Sequence, residues 1–171
     1  MHLRPGVPAD LPRLTEIYNH YVTNSYATFD TEPFTVDERR SWFSHYAETG
    51  PHRLLIAAPA AGEVLGYATS SPFRPKSGYA TTVELTVYVS PDADGRGIGS
   101  ALYTRLLADL AGEDLHRTVA GIALPNDASV ALHRRFGFTS VGVYTEVGRK
   151  FGRYFDVGWY QRPLGPAPTD S

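Results

Sequence analysis

A glycine-rich turn between an apolar strand and a helix is the segment best suited to chemistry. The run DGRGIG, residues 94–99, follows VYVSP and precedes SALYTRLL. Residues without a β-carbon let backbone N–H groups converge at a helix N-terminus, where the helix dipole attracts anions. The pattern predicts a diphosphate site made by Gly97, Gly99 and the amides of residues 95–100, with Arg96 as a nearby positive charge.

Other interpretations of this turn differ in how well they fit. A P-loop requires the ending GK[ST], which is absent, and the dinucleotide-binding fingerprint GxGxxG differs from the GxGxG spacing that starts at Gly95. Both of those phosphate-binding motifs are therefore excluded. A tight strand–helix turn without a ligand would use the same glycines, and this interpretation stays open.

Glu84 is a candidate general base because it interrupts the apolar strand TVELTVYV. A carboxylate without a function would be costly if it faced the core. Burial would also raise its pKa from about 4.3 toward the range of a useful base. The alternation of Val83 and Leu85 with Glu84 equally permits a solvent-facing carboxylate. The residues alone leave both interpretations open.

His133 is the second candidate for proton transfer. It lies on a predicted helix just before Phe136, and imidazole can donate a proton near neutral pH. A lone helical histidine is more often a packing or surface residue. By itself, the residue therefore favours the structural interpretation.

The elements that must position these residues begin with two helices. Apolar residues recur at helical spacing over residues 11–22, and Asp10 is placed to cap the first turn. Thr35 and Glu38 form a capping-box pattern, so a second helix is predicted to begin at Val36.

Strands and crossovers follow in the rest of the chain. RLLIAA, VLGYATSSPF and TTVELTVYVS predict an antiparallel meander, and residues 97–136 predict a helix, a strand and a helix. Residues 140–161 are β-prone. Because the strands outnumber the crossovers, we expect an α/β (mixed α+β) fold, with a central mixed twisted sheet and helices on both faces.

Composition limits the classes of function. The 171 residues are 42% hydrophobic and 20% charged, which predicts one domain over residues 1–164 and a flexible tail at 165–171. The net charge of −2 has no long run of either sign, so neither nucleic acid nor an anionic membrane is expected as a partner. The absence of cysteine excludes disulfides, thiolate nucleophiles and cysteine-bound metals. No apolar run approaches about 18 residues, and a soluble cytoplasmic protein is expected.

Two motifs together resemble the GNAT superfamily of N-acetyltransferases. DGRGIG resembles the acetyl-CoA signature [QR]xxGx[GA], with Asp94 where the family usually has Arg or Gln. PNDASVALHRRFGF resembles the superfamily run Nxx[SA]xxLYxxxGF, in which Asn126 occupies the position of a cofactor contact. His133 stands where many members have a tyrosine that protonates the departing sulfur. The Asp94 departure removes side-chain help with phosphate but leaves the backbone cradle intact.

A narrower resemblance covers residues 3–164. The segments NHY, ATFDTEP, TVELTVYVSP, LPNDASVALH and GRKFGRYFDVGWYQ are similar to those of phosphinothricin and methionine-sulfone acetyltransferases. This resemblance implies acetylation of the α-amino group of glutamate-like or methionine-like amino-acid analogues, by direct transfer from acetyl-CoA, in a homodimer and without a metal. It also implies that Glu84 is the general base, acting directly or through water.

The resemblance implies a set of binding residues. The main chain of Val87–Val89 would meet the oxyanion and pair with pantetheine. Lys76 stands where arginine is common, so bidentate recognition of the acid group would be weaker. Phe73 and Tyr79 could equally pack in the core or in a dimer. The cofactor-binding residues are Val87, Tyr88, Val89, Gly95, Arg96, Gly97, Ile98, Gly99, Ser100 and Asn126. The substrate-binding residues are Phe29, Phe73, Arg74, Lys76 and Tyr79.

Two rival functions remain. One is a GNAT acetyltransferase for another amine, such as a polyamine, an antibiotic or a protein N-terminus, and a polyamine would need an acidic pocket. The other is a catalytically silent acyl-CoA-binding module, which Asp94 makes conceivable. The joint presence of Glu84 and His133 disfavours the silent module.

Overall fold

The computed structural model describes residues 1–165 and contains four α-helices and seven strands in that range. The predicted flexible tail, beyond its first residue, lies outside the described residues. The elements in chain order are β1 (His2–Pro5), α1 (Leu11–Asn24), α2 (Val36–Phe43), β2 (Leu54–Ala58), β3 (Gly66–Pro72), β4 (Thr82–Val89), α3 (Ile98–Leu110), β5 (Arg117–Leu124), α4 (Asp127–Arg135), β6 (Thr139–Lys150) and β7 (Arg153–Pro163). The predicted meander, the crossover helices and the β-prone end are confirmed.

All seven strands form one mixed sheet in the order β1-β2-β3-β4-β5-β7-β6. Neighbouring strands are antiparallel except β4 and β5, which are parallel. Pairing of β4 with β5 is confined to Thr82–Glu84 and Arg117–Val119, although the strands continue to Val89 and Leu124. The sheet therefore opens between these two strands toward their carboxyl ends.

Helices cover both faces of the sheet, as predicted. The larger core cluster joins α3 to the sheet through Leu102, Tyr103 and Leu106, with Phe138 after α4 on the same side. The smaller cluster joins α1 to β2 and β3 and includes Tyr67. Both apolar faces of the central strands are thus removed from water, which is the main source of stability for such a domain.

Local signals at the helix starts gave one correct and one wrong prediction. The capping box is confirmed: Thr35 Oγ1 accepts from the Glu38 amide at 3.2 Å, and the Thr35 amide donates to the Glu38 carboxylate at 2.9 Å. The predicted Asp10 cap of α1 is wrong, because the Asp10 side chain makes no cap bond to that helix. Its carboxylate instead accepts from Arg4 and from the Val7 amide, all at 2.8 Å. The Arg4 guanidinium on β1 offers a stronger, charged partner than the helix amides.

Strands β6 and β7 form a long hairpin whose outer strand is the edge of the sheet. Its two-residue turn consists of Phe151 and Gly152, both at positive φ, as hairpin turns that match the strand twist require. None of the helices within residues 1–165 is both long and apolar enough to cross a membrane.

Candidate active site

A cleft of about 530 Å³ lies where β4 and β5 separate. Residues 85–89 of β4 and 121–123 of β5 form its sides, and the turn before α3 and one face of α4 close its ends. The separation of the strands leaves the β4 edge facing this cleft without a β5 partner. The cleft can therefore admit an extended chain alongside β4.

The glycine-rich turn has the geometry of an anion cradle. Gly95 and Gly97 have φ values of 73° and 75°, and Gly97 directly precedes α3. A β-carbon at either glycine would meet no atom within 4 Å, so this side of the turn is open. The first intrahelical bond here runs from the Ala101 amide to the Gly97 carbonyl, so the amides of residues 98–100 remain for a ligand. A diphosphate fits this arrangement.

Asp94 modifies one end of the cradle. Its carboxylate accepts from the Gly95 amide at 2.9 Å, so the chain itself uses one of the amides predicted to hold phosphate. The cradle is thus centred on the first turn of α3.

Arg135 is a cation of this cleft that the sequence did not single out. Its Nη1 donates to Ser100 Oγ at 3.0 Å, and this hydrogen bond joins the end of α4 to the start of α3. Arg96 is exposed and is not among the lining residues, whereas Arg135 is. The sequence did contain a signal for Arg135. It follows Ala128 and Leu132 at a spacing that places all three on one helix face, and this face lines the cleft.

Glu84 lies in a neighbouring cavity of about 370 Å³. We call this cavity the Glu84 pocket. It shares the lining residues Ala27, Gly121 and Ala123 with the cleft, so the pocket and the cleft are contiguous. Val83 and Leu85 point into the core, and Glu84 is half-buried on the other face of β4. Burial raises the pKa of the Glu84 carboxyl above its usual value, and the positive charge of Arg74 partly opposes this.

His133 is buried in the floor of the cleft beside Tyr103. Its Nδ1 lies 2.7 Å from the Ser129 carbonyl oxygen, and its Nε2 lies 2.9 Å from the Tyr103 hydroxyl. A carbonyl can only accept, so Nδ1 carries a proton and Nε2 of the neutral ring accepts from Tyr103. Burial lowers the pKa of His133, which favours this neutral form.

The residues predicted to bind the amine substrate do not all line the same cavity. Phe29 lines the Glu84 pocket, whereas Phe73, Arg74 and Tyr79 line a third cavity of about 560 Å³. Lys76 is exposed and lines neither cavity.

Trp159 and Tyr144 line both the third cavity and the Glu84 pocket. A β-carbon at Gly121 would lie 3.1 Å from the Trp159 ring, so this glycine lets the indole lie directly on β5. Trp159 is a lining residue of the Glu84 pocket that the sequence did not single out. Its only signal was its place within the run GRYFDVGWYQ.

Known proteins match both the sequence and the fold. The chain matches the model of the acetyltransferase (GNAT) family over residues 14–138. A phosphinothricin N-acetyltransferase of Streptomyces coelicolor is 62% identical over 165 residues, which are 96% of each chain. An L-methionine sulfoximine/L-methionine sulfone acetyltransferase of Pseudomonas paraeruginosa is 42% identical over 164 residues, which are 96% of this chain and 95% of the relative. The crystal structure of a phosphinothricin acetyltransferase from Sinorhizobium meliloti in complex with AcCoA is 36% identical with a TM-score of 0.91, covering 99% of this chain and 93% of the other. The mixed sheet, its opening beside a glycine cradle and these similarities together show that the chain belongs to the acetyltransferase (GNAT) family.

Proposed function

We propose that this enzyme transfers an acetyl group directly from acetyl-CoA to the α-amino group of a small amino-acid analogue of the phosphinothricin, methionine sulfone or methionine sulfoximine type. The observation that carries the proposal is the junction of the cofactor cleft with the Glu84 pocket at Ala27, Gly121 and Ala123. An amine bound beside Glu84 can meet a group delivered along β4. The names of the similar acetyltransferases support the substrate class.

The cofactor cleft suits acetyl-CoA, which supplies the acetyl group as a reactive thioester. The amides of residues 98–100 and the dipole of α3 would hold its diphosphate, with Arg135 as the nearby cation. Val87–Val89 line the cleft, and their main chain, which has no β5 partner, would run alongside pantetheine. Asn126 also lines the cleft and at the same time caps α4, since its Oδ1 accepts from the Ser129 amide at 3.1 Å.

Glu84 acts as the general base in this proposal. An α-ammonium must lose a proton before its nitrogen can attack a carbonyl carbon, and Glu84 would accept that proton directly or through one water. The new C–N bond would form as the C–S bond of the thioester breaks, and the departing thiolate of coenzyme A would take up the proton that the attacking nitrogen then releases. The raised pKa of Glu84 makes it a stronger base than an exposed carboxylate.

His133 acts through Tyr103 in this proposal. A histidine at this place could act as an acid, as an additional base or as a hydrogen-bond partner. Because both ring nitrogens already have partners, the third role has the best support. His133 would orient the Tyr103 hydroxyl in the floor of the cleft.

The lining of the Glu84 pocket favours an amino-acid analogue over a polyamine. Phe29, Tyr144 and Trp159 form an aromatic wall. Within residues 1–165, Glu84 is the only carboxylate that lines this pocket. A polyamine would need further acidic groups, whereas the acid group of an amino-acid analogue needs a cation. Arg74, whose charge reaches Glu84, is the candidate cation.

A substrate panel tests the proposed function. Thiol release from acetyl-CoA should be rapid with phosphinothricin, methionine sulfone or methionine sulfoximine, and at background level with polyamines such as spermidine. Thiol release with polyamines alone would mean that the substrate is a polyamine and not an amino-acid analogue. Release with none of the amines, together with tight acetyl-CoA binding, would favour the silent acyl-CoA-binding module.

The hairpin surface supports a homodimer. Six large hydrophobic side chains between residues 141 and 154 are more than half exposed, and the outer strand β6 is a sheet edge. An exposed apolar strand at a sheet edge offers a template for pairing with another chain. We expect the particle mass measured by light scattering to be twice that of the chain, and a monomer at micromolar concentration would contradict the homodimer. The exposed residues are Val141, Val143, Tyr144, Val147, Phe151 and Tyr154.

A further inference from the structure

The wall of the Glu84 pocket includes a segment without regular secondary structure. Residues 25–34, the pocket loop, lie in the connection between α1 and α2. Ala27 lines both the cofactor cleft and the Glu84 pocket, and Phe29 lines the latter. The loop has no repeating backbone bonds of its own, so the shape of the amine site depends on what holds this backbone.

Lys150, at the end of β6, contacts this backbone directly. The residue is 4% exposed, and its Nζ donates to the carbonyl oxygens of Tyr21 at 3.2 Å, Ser25 at 2.6 Å and Thr28 at 2.9 Å. An ammonium has three hydrogens, and all three are used. The cation therefore joins the end of α1 to the middle of the pocket loop.

The site that receives the Lys150 ammonium is electrostatically suited to a cation. The final carbonyls of a helix lack intrahelical partners, and the helix dipole is negative at that end. Tyr21 lies in the last turn of α1, and Ser25 directly follows the helix. Charge and hydrogen bonding thus both favour a lysine at this position.

A second contact from the same strand holds the loop through a side chain. A β-carbon at Gly148 would overlap the Phe29 ring, so Phe29 lies against β6 where only glycine leaves room. Gly148 and Lys150 are two residues apart and face the same side of the strand. Gly148 leaves room for the Phe29 ring against the strand, and Lys150 fixes the backbone that leads into Phe29 through the carbonyls of Ser25 and Thr28.

The hairpin also fixes Lys150 itself. Lys150 pairs with Arg153 across the two-residue turn, and Phe155 on β7 stacks on Tyr26 of the pocket loop with centroids 4.4 Å apart. The sheet register therefore sets the position of the ammonium, unlike that of an exposed lysine, whose side chain is flexible.

We infer that Lys150 is a positioning residue for the amine substrate: its ammonium holds the pocket loop so that Phe29 remains in the wall of the Glu84 pocket. The inference rests on the proposed amine site. Lys150 is not a catalytic residue, because all of its donors bind main-chain carbonyls and none is free for the substrate.

The test compares Lys150→Met with Arg149→Met. Methionine keeps most of the stem and removes the ammonium, and the neighbouring Arg149 is exposed, so its replacement removes the same charge without touching the loop. For Lys150→Met we expect the KM of the amine to rise by about 10-fold or more, because three charge-assisted hydrogen bonds are lost. The KM of acetyl-CoA should change less than about twofold, and Arg149→Met should resemble the unmodified enzyme in both constants.

Hydrogen exchange gives a readout that does not depend on the identity of the amine. In the free protein, the amides of residues 25–30 should exchange about 10-fold faster or more in Lys150→Met, while those of α3 keep their rates. Unchanged loop exchange and unchanged amine KM in the folded variant would overturn the inference, even if the unmodified enzyme acetylates phosphinothricin. If no amine in the panel is acetylated, loop exchange still tests the role of Lys150.

Gly148→Ala disturbs the same loop without removing a charge. It is therefore the second test variant, used if Lys150→Met does not fold. The added methyl group must displace the Phe29 ring. A raised amine KM with unchanged acetyl-CoA affinity is expected. Equal losses of both affinities with a lowered melting temperature, in both variants, would indicate a purely structural role and overturn the inference.

Discussion

Replacing Glu84 with glutamine is expected to lower kcat by about 10²- to 10⁴-fold, the usual contribution of a general base. Glutamine has nearly the same shape but cannot accept a proton from an ammonium. Glu84 lies on β4 in the pocket next to the cofactor cleft, not in the cradle, so the dissociation constant of acetyl-CoA should stay within about twofold. Steady-state kinetics and calorimetric titration of acetyl-CoA measure the two effects separately.

Glu63→Gln is the control for this experiment. Glu63 is an exposed carboxylate, and its loss should leave kcat unchanged. If Glu84→Gln retained full turnover at neutral pH, Glu84 would lose the role of base, although the fold and cofactor site would be unaffected.

The pH dependence gives a second signature of Glu84. Burial raises the pKa of its carboxyl, so the ionised, proton-accepting form is lost as the pH falls through this raised value. The acid limb of kcat/KM should therefore lie above the usual range of a glutamate and should disappear in Glu84→Gln. Removing the opposing charge with Arg74→Gln should move this limb to higher pH.

Replacing Gly97 with aspartate is expected to weaken acetyl-CoA binding by about 100-fold. A carboxylate about 5 Å from the diphosphate at an effective dielectric constant of about 20 costs roughly 3 kcal/mol. Gly97 has a φ of 75°, and a β-carbon there would meet no protein atom within 4 Å, so the protein leaves space for the aspartate at this open side of the turn. The dissociation constant of acetyl-CoA, measured by calorimetry, reports the change.

Gly97→Asn separates charge from backbone strain. Asparagine nearly matches aspartate in size and tolerates a left-handed backbone comparatively well. We expect its affinity for acetyl-CoA to fall only a few-fold. Equal affinities of the asparagine and aspartate variants would mean that no phosphate lies near this residue, and the cradle assignment would fail.

Local patterns in the sequence predicted most of the elements. The capping box of Thr35 and Glu38 involves residues three apart, so no distant contact is needed to form it. The glycine turn before α3 is equally local, because its positive φ angles exclude most other residues. The prediction failed at Asp10, where an arginine from β1 competed for the carboxylate. Such competition depends on how strand and helix pack and has no local signal.

The sequence by itself predicted the kind of chemistry: a backbone cradle for a diphosphate, a carboxylate in an apolar strand, and a mixed sheet to carry both. Only the tertiary structure decided which residues meet there. Separation of β4 from β5 joins the cofactor cleft to the Glu84 pocket, and this depends on strand pairing between residues more than 30 positions apart. The positions of Arg135, Trp159 and Lys150 have the same origin. A lysine in a sequence is usually exposed, and only sheet register and helix packing could bring this one to the carbonyls at the end of α1.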